Sequence, residues 1–192
     1  MIELPANLLS VKQWQCEVLS NQNVATFIKE LVLKLPQGEE LDFEPGSYLL
    51  LEAPAHKVNF TDFEIAAQYR KEWDDFKLWS MQSQVSEPLQ RAYSMANYPG
   101  EAGGIKFNIR IVLPPMGGSG IPPGKMSSYL FSLKAGDKIH VSGPFGDFFP
   151  HSDDAEMIYV GGGSGMAPLR SHIMYLFKED AESQLLVRCP QS

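Results

Sequence analysis

Apolar and polar residues alternate with a two-residue period in several separate stretches between Val11 and Ser142. That period belongs to a β-strand with one buried side and one solvent-facing side. Strands of this kind, bounded by turn residues, are typical of an antiparallel barrel. We therefore predict that their apolar side chains, Cys16 included, point into a common core. These residues are Trp14, Cys16 and Val18, then Leu31, Leu33 and Leu35, then Ile105, Phe107, Ile109 and Ile111, and finally Ile139 and Val141.

Turn residues are frequent and well placed between these strands. Glycine and proline supply 16 and 14 of the 192 residues, which favours many turns and a β-rich fold. Pro45 and Gly46 form a predicted turn that leads into another strand over 47–52. The stretch 114–124 contains so much Gly, Pro and Ser that it must be a loop. The pattern predicts a mainly β domain over residues 1–150.

The segment at about 56–90 interrupts the strands with a polar, helical pattern. Residues 61–64, Thr-Asp-Phe-Glu, have the form of a capping box at the start of a helix. Aromatic residues follow at helical spacing. We predict a helical insertion whose aromatic side chains form a small satellite core, with a docking surface for another subunit as the alternative. The aromatic residues concerned are Tyr69, Trp73, Phe76 and Trp79.

A different pattern begins after Pro150. Met157 to Val160 is apolar on both faces, as expected for a parallel strand buried on both sides. A glycine-rich turn follows, and then a predicted helix in which Leu169, Ile173 and Leu176 form one apolar stripe. Residues 184–189 are a candidate second strand. Since a doubly wound domain needs several such units, residues 151–192 are interpreted as the truncated start of an α/β nucleotide-binding domain.

Composition excludes several classes of function. The formal net charge is −7, which argues against binding nucleic acid by bulk charge. Two cysteines, Cys16 and Cys189, cannot provide a four-Cys iron–sulfur or zinc site, and the four histidines lack metal-ligand spacing. No signal sequence or membrane-length apolar stretch is present. We expect a soluble, cytosolic piece without a metal and without direct membrane insertion.

The sequence Arg91-Ala-Tyr-Ser94 is the first candidate binding element. On an extended segment Arg91 and Tyr93 face one way and Ser94 the other. An Arg fork, an aromatic ring and a hydroxyl together suit a planar ring system that carries a pyrophosphate. The alternative is a barrel strand with a surface arginine and a core tyrosine.

Two further elements have the form of phosphate sites. Residues 124–130, Gly-Lys-Met-Ser-Ser-Tyr-Leu, open a short helix whose unpaired amides and Ser hydroxyls can bind an anion. An ordinary serine cap is the alternative. In residues 161–170, Gly163-x-Gly165 fits a dinucleotide turn, although Pro168 stands where the usual fingerprint has its third glycine. The strand and helix predicted around this turn favour nucleotide binding over a simple tight turn.

The order of these elements resembles the ferredoxin-reductase family of flavoenzymes, in which a barrel holds FAD and a second domain holds a nicotinamide dinucleotide. The motifs are similar to those of the flavoprotein component of the bacterial sodium-translocating NADH:quinone reductases, over roughly residues 9–180. The segments that carry this similarity are 91–99, RAYSMANYP, 124–129, GKMSSY, 142–149, SGPFGDFF, and 161–171, GGGSGMAPLRS.

The resemblance implies roles for individual residues. Arg91 would hold the FAD pyrophosphate, Tyr93 would stack on the isoalloxazine, and Ser94 would bond near flavin N5, which makes Tyr93 and Ser94 the implied catalytic residues. Two sets of residues would complete the cofactor sites. The implied FAD phosphate site is Gly124, Lys125, Met126, Ser127 and Ser128, and the implied NADH site is Gly162, Gly163, Gly165 and Pro168.

The resemblance also implies a place in a larger assembly. Electrons would pass from NADH to FAD, then to a [2Fe–2S] centre in a parent-protein domain absent from this chain, and on to other subunits at the cytoplasmic face of the inner membrane. A chain with an incomplete nucleotide domain is expected to turn over NADH poorly. The alternatives are the reductase component of an oxygenase and a non-catalytic FAD-binding or subunit-docking fragment.

Overall fold

The computed structural model describes residues 11–115, 120–151 and 156–179. Short 3₁₀ turns occur at Phe60–Asp62, Ala67–Tyr69, Leu78–Ser80 and Gly163–Gly165. The helices of this part are α1 Arg70–Asp75, α2 Lys125–Ser132 and α3 Met166–Glu179. The strands are β1 Lys12–Ala25, β2 Ile28–Lys34, β3 Tyr48–Ala53, β4 His56–Asn59, β5 Gln82–Val85, β6 Leu89–Ser94, β7 Ile105–Arg110 and β8 Lys138–Phe145.

Six strands form one antiparallel sheet in the order β6-β3-β8-β1-β2-β7, which curls into a half-barrel. The predicted strands and the mainly β fold class are confirmed. Strand β1 runs on to Ala25, well past the alternating stretch, because it changes register with β2 near Ser20 and Asn23 and so keeps pairing as it bends. Cys16 lies fully buried inside the half-barrel, and this burial raises the pKa of its thiol to about 11.

The insertion is helical only in part. It contains the β4–β5 hairpin as well as α1. The capping-box prediction for 61–64 is wrong, because Thr61 lies inside a 3₁₀ turn, where its hydroxyl donates to Asp62, and the helix begins only at Arg70. Proximity in sequence let the aspartate next to Thr61 compete for the hydroxyl that a cap would use.

The aromatic residues of the insertion do not form a separate core. Trp73 is fully buried, lies 6.2 Å from the ring of Phe131 in α2, and donates from its indole N–H to the Thr26 carbonyl at 2.9 Å. Phe60 and Phe63 pack on the same indole. The satellite core is therefore a wrong prediction, because α2 supplies an aromatic ring that joins the insertion to the main core.

The carboxyl end of α2 is held by two polar side chains of the sheet. The Asn21 side-chain amide donates to the carbonyls of Leu130 and Leu133, both at 2.8 Å. The Lys29 ammonium donates to the Phe131 carbonyl at 3.0 Å. Lys29 is only 1% exposed, and its burial lowers the pKa of the amine to about 8. These bonds satisfy carbonyls that a helix end leaves without intrahelical donors.

The segment from Met157 to Val160 is not a buried strand. It pairs with no strand in the described part of the chain, and Ile158 is 89% exposed. The prediction is wrong because an apolar segment becomes a strand only beside another strand that takes its backbone hydrogen bonds. The second predicted strand, 184–189, and Cys189 lie outside the described residues.

The predicted helix after the glycine turn is present as α3, and it packs against the half-barrel. Its Ser171 hydroxyl accepts a hydrogen bond from the Gly46 N–H at 3.4 Å, and the His172 ring donates from Nε2 to the Phe148 carbonyl at 3.0 Å. Burial lowers the pKa of His172, so the neutral ring is favoured. The turn at Gly46 thus fixes where α3 lies.

We expect Gly46→Ala to loosen the contact between α3 and the half-barrel. A Cβ on Gly46 would lie 2.0 Å from the Phe148 carbonyl oxygen, and the residue has φ of +94°. Gly38→Ala is the matched control, because Gly38 has φ of +83° with no atom within 4 Å of the added Cβ. The control should cost about 1 kcal/mol of unfolding free energy from backbone strain, and Gly46→Ala about 3 kcal/mol or more. Equal losses in urea titrations would contradict the steric argument.

Lys29 should make stability depend on pH. The folded protein releases this proton near pH 8, below the ordinary value of 10.5. Between these values the unfolded chain binds more protons, so the Lys29 contribution to stability rises with pH. We expect the unfolding free energy of the parent, relative to Lys29→Met, to rise by roughly 1–3 kcal/mol between pH 8 and pH 10. Lys71→Met, at an exposed lysine, is the control, and a flat difference curve for Lys29→Met would refute the assignment.

Candidate functional site

Strand β6 and the start of α2 enclose a cleft of about 290 Å³. The register pairs Leu89, Arg91 and Tyr93 with the inward-facing residues of β3, so all three point to the same side of the sheet. The loop that precedes α2 closes the opposite wall. The residues that line the cleft are Leu89, Arg91, Tyr93, Val112, Gly124, Lys125, Met126 and Ser127.

Arg91 and Tyr93 present different chemistry to this cleft. Arg91 is exposed, and one guanidinium nitrogen donates to the neighbouring Gln90 carbonyl at 2.7 Å. Tyr93 is half-buried, and burial raises the pKa of its phenol to about 12 despite the opposing effect of Arg91. The phenol is therefore neutral at physiological pH, where it offers a ring face and a donor.

The N-terminus of α2 directs backbone donors toward the cleft. The first helical hydrogen bond runs from the Ser128 N–H to the Gly124 carbonyl at 3.0 Å. The N–H groups of Lys125, Met126 and Ser127 consequently have no acceptor within the helix. The lining contains the cations Arg91 and Lys125 and no carboxylate, and the helix dipole adds positive potential at the same place. The arrangement suits a phosphate or pyrophosphate.

The two serines of this helix differ in environment from each other. The Ser127 hydroxyl donates to the Gly124 carbonyl and accepts from the Val112 N–H, both at 3.2 Å. It therefore ties the loop to the helix, and its backbone N–H is the group available to an anion. Ser128 is fully buried and lies outside the cleft, and its hydroxyl has no hydrogen-bond partner among the described residues.

Ser94 lies on the other side of β6 from Arg91 and Tyr93, as the alternation predicts. It is paired with Tyr48 across the sheet, and the Tyr48 ring stacks on Phe145 at 5.5 Å. Ser94 does not line the 290 Å³ cleft. A ligand that contacts both Tyr93 and Ser94 must pass around the end of the strand.

The glycine turn stands apart from this cleft. Gly162 precedes a 3₁₀ turn that contains Gly163, with φ of +58°, and Gly165. Helix α3 then begins at Met166, so Pro168 lies in the first turn, where its missing N–H removes no helical bond. None of the four predicted NADH residues lines the cleft. The structure therefore separates the two predicted sites.

Sequence reasoning did not find Arg110 or Val112. An Arg110 guanidinium nitrogen lies 4.0 Å from the position that a Cβ on Gly163 would take. Alternation assigns Arg110 to the solvent side of β7, and nothing in the sequence indicates that the glycine turn lies beside it. Val112 forms a wall of the cleft, where only its position before the loop offered a signal. Leu89 was predictable, because it alternates in phase with Arg91.

A larger cleft of about 670 Å³ lies elsewhere, between the β1–β2 end of the sheet and the insertion. Its charged lining is mixed, with Asp62 and Glu64 opposing Arg70 and Lys134. It contains none of the predicted site residues. Because the acidic groups there would repel a phosphate, the smaller cleft is the better candidate despite its size.

Comparisons with known proteins agree with this architecture. The model of the oxidoreductase FAD-binding domain family matches residues 78–149. In the Na(+)-translocating NADH-quinone reductase of Marinomonas sp., the subunit designated F is 62% identical over 172 residues, which are 90% of this chain and 42% of that relative. The flavohem-like FAD/NAD-binding domain of nitric oxide dioxygenase from Vibrio cholerae has a TM-score of 0.61 at 20% identity, over 88% of this chain and 59% of that chain. Ferredoxin-NADP+ reductase from Plasmodium falciparum has a TM-score of 0.57 at 16% identity, over 89% and 54%.

The half-barrel and the family match define the class: this chain belongs to the ferredoxin-reductase-like flavoproteins. Within that class it corresponds to part of the flavoprotein component of the Na+-translocating NADH:quinone reductases, and the resemblance predicted from the motifs is confirmed. The chain spans about two fifths of the length of these relatives. In the described part of the chain, no helix is long and apolar enough to cross a bilayer.

Proposed function

We propose that this chain binds FAD and accepts hydride from NADH as the electron-entry module of a Na+-translocating NADH:quinone reductase. The observation that carries the proposal is the meeting of Arg91, Tyr93 and the α2 N-terminus in one cleft without an acidic residue. The 62% identity to the Marinomonas reductase component supports the electron-transfer role. The match of the FAD-binding domain model to residues 78–149 supports the choice of cofactor.

The donor set fits the charged part of FAD. Arg91 would hold the pyrophosphate through its guanidinium fork, and the N–H groups of Lys125, Met126 and Ser127 would bond to the remaining phosphate oxygens. The Lys125 ammonium adds charge at the rim. Gly124 permits the close approach of the loop, since a Cβ there would lie 2.6 Å from both the Ser127 hydroxyl and Val112.

The bound flavin would supply the redox chemistry, by taking a hydride and giving up electrons one at a time. Tyr93 would cover one ring face, and its neutral phenol excludes water from that side. Ser94, at the end of the strand, would place a hydroxyl near N5, where charge and a proton arrive. Tyr93 and Ser94 lie on opposite sides of β6, so the ring system would extend across the strand end.

NADH would bind at the glycine turn. Gly162, Gly163 and Gly165 leave the backbone open to a pyrophosphate, and Pro168 begins the helix without using an amide that the ligand needs. Arg110 stands beside Gly163 and would pair with the same pyrophosphate. Electrons would continue to a [2Fe–2S] centre and to the other subunits of the complex, as the resemblance implies.

We expect Arg91→Ala to weaken FAD binding by about 1.5–3 kcal/mol, or roughly ten- to a hundredfold in Kd, because it removes a charge-assisted fork. Quenching of flavin fluorescence on titration measures the Kd. Arg70→Ala is the matched control, since Arg70 lines the other cleft and its loss should leave the Kd unchanged. An unaltered Kd for Arg91→Ala would refute the role of the arginine.

We expect Ser94→Ala to slow flavin reduction by NADH roughly tenfold, while the Kd for FAD changes little, because the hydroxyl acts where charge develops. Anaerobic stopped-flow absorbance measures the bleaching of the flavin. Ser80→Ala, in the insertion, is the control. If reduction and affinity both match the parent, Ser94 has only a structural role.

A further inference from the structure

Three charged residues meet where α3 crosses the half-barrel. The Arg170 guanidinium donates from both terminal nitrogens to the Glu101 carboxylate, at 2.8 and 3.0 Å. The Lys106 ammonium pairs with the same carboxylate. The Glu101 side chain is only 13% exposed, and Arg170 is 33% exposed. Two-point arginine–carboxylate pairs of this kind fix orientation as well as distance.

This cluster joins three elements that are distant in sequence. Arg170 also donates to the Ala96 carbonyl at 2.8 Å, and Ala96 follows Ser94 closely at the end of β6. The Ala96 N–H donates in turn to the Lys106 carbonyl in β7 at 2.7 Å. A single guanidinium therefore links the end of β6, the start of β7 and helix α3. The loop between these two strands is held further by Lys178 of α3, which lies over the Tyr98 ring at 5.3 Å.

The pair differs from the exposed ion pairs of the protein. Lys71 and Asp75 form such a pair within α1, with side chains 80% and 57% exposed, and pairs of that kind contribute little. Hydrogen bonds from Arg170 and Lys106 overcome the effect of burial and lower the pKa of Glu101 to about 2. The carboxylate is consequently ionised at any pH at which the protein would work.

We propose that Arg170 and Glu101 are positioning residues that hold the glycine turn at a fixed place relative to the end of β6. Arg170 is the fifth residue of α3, directly after the turn that contains Gly163 and Gly165. The inference rests on the proposed function, because it assigns to the pair the alignment of the NADH turn with Tyr93 and Ser94. Neither residue touches the cleft itself.

Hydrogen exchange on the FAD-loaded chain tests the structural part of this proposal. In Arg170→Gln and in Glu101→Gln, we expect amides of the glycine turn and the first half of α3 to exchange about tenfold faster or more, and those of β1, β2 and β8 to match the parent. Arg170→Lys should have an intermediate effect, because it keeps the charge and loses the fork. Lys71→Gln is the control. The double variant should exchange like Arg170→Gln alone, because the two residues act through one contact.

Flavin reduction by NADH tests the functional part. The Kd for FAD should stay within about twofold of the parent, and reduction by dithionite should be unchanged, because the cleft is intact. Reduction by NADH should slow about tenfold in Arg170→Gln, with an altered primary isotope effect for deuterated NADH, because misalignment acts on the transfer step. Arg170→Lys should restore part of the rate.

The outcomes separate the inference from the proposed function. If the parent takes no hydride from NADH, the proposed function fails, and the exchange data still decide whether the pair holds the turn. Unchanged exchange at the turn, or faster exchange throughout the half-barrel, would overturn the positioning role. Faster local exchange with a normal rate of NADH reduction would overturn the alignment role.

Discussion

Helix α2 is fixed to the sheet at its carboxyl end, and the candidate site depends on that attachment. Asn21 and Lys29 bind three of its last carbonyls, and the buried ring of Phe131 packs against Trp73 of the insertion. With this end held, the opposite end directs its unpaired N–H groups at Arg91 and Tyr93 across the cleft. The burial of a lysine at such a contact is costly, and the hydrogen bond to the helix and the Phe131 ring beneath the ammonium offset part of that cost.

The strands and much of the cleft could be predicted from sequence, because both follow from local periodicity. Alternation places Cys16, Leu31 and Leu33 inside, and the same rule puts Arg91 and Tyr93 on one side of β6 and Ser94 on the other. The helix at Lys125 follows from the Gly-rich start and the apolar residues after it. These features need no knowledge of which elements are neighbours.

The remaining features depend on contacts between distant segments. Met157 to Val160 has the composition of a buried strand, but no described strand offers it a partner. The insertion aromatics join the main core only because α2 supplies Phe131. The meeting of Arg110 with Gly163, and of Arg170 with Glu101, requires α3 to cross β7 and the loop before it. Periodicity contains no information about such pairings.

The strand that carries Arg91, Tyr93 and Ser94 lies at one edge of the six-stranded sheet. An edge strand leaves half of its backbone groups without a neighbour, so a ligand can approach the strand from the side without breaking the ladder. The same opening invites pairing with another polypeptide, which is a route to aggregation. Strand β6 is only six residues long and exposes Gln90 and Arg91, and short, polar edges resist such pairing. An arginine at this place thus protects the unliganded protein from self-association as well as offering charge to a ligand.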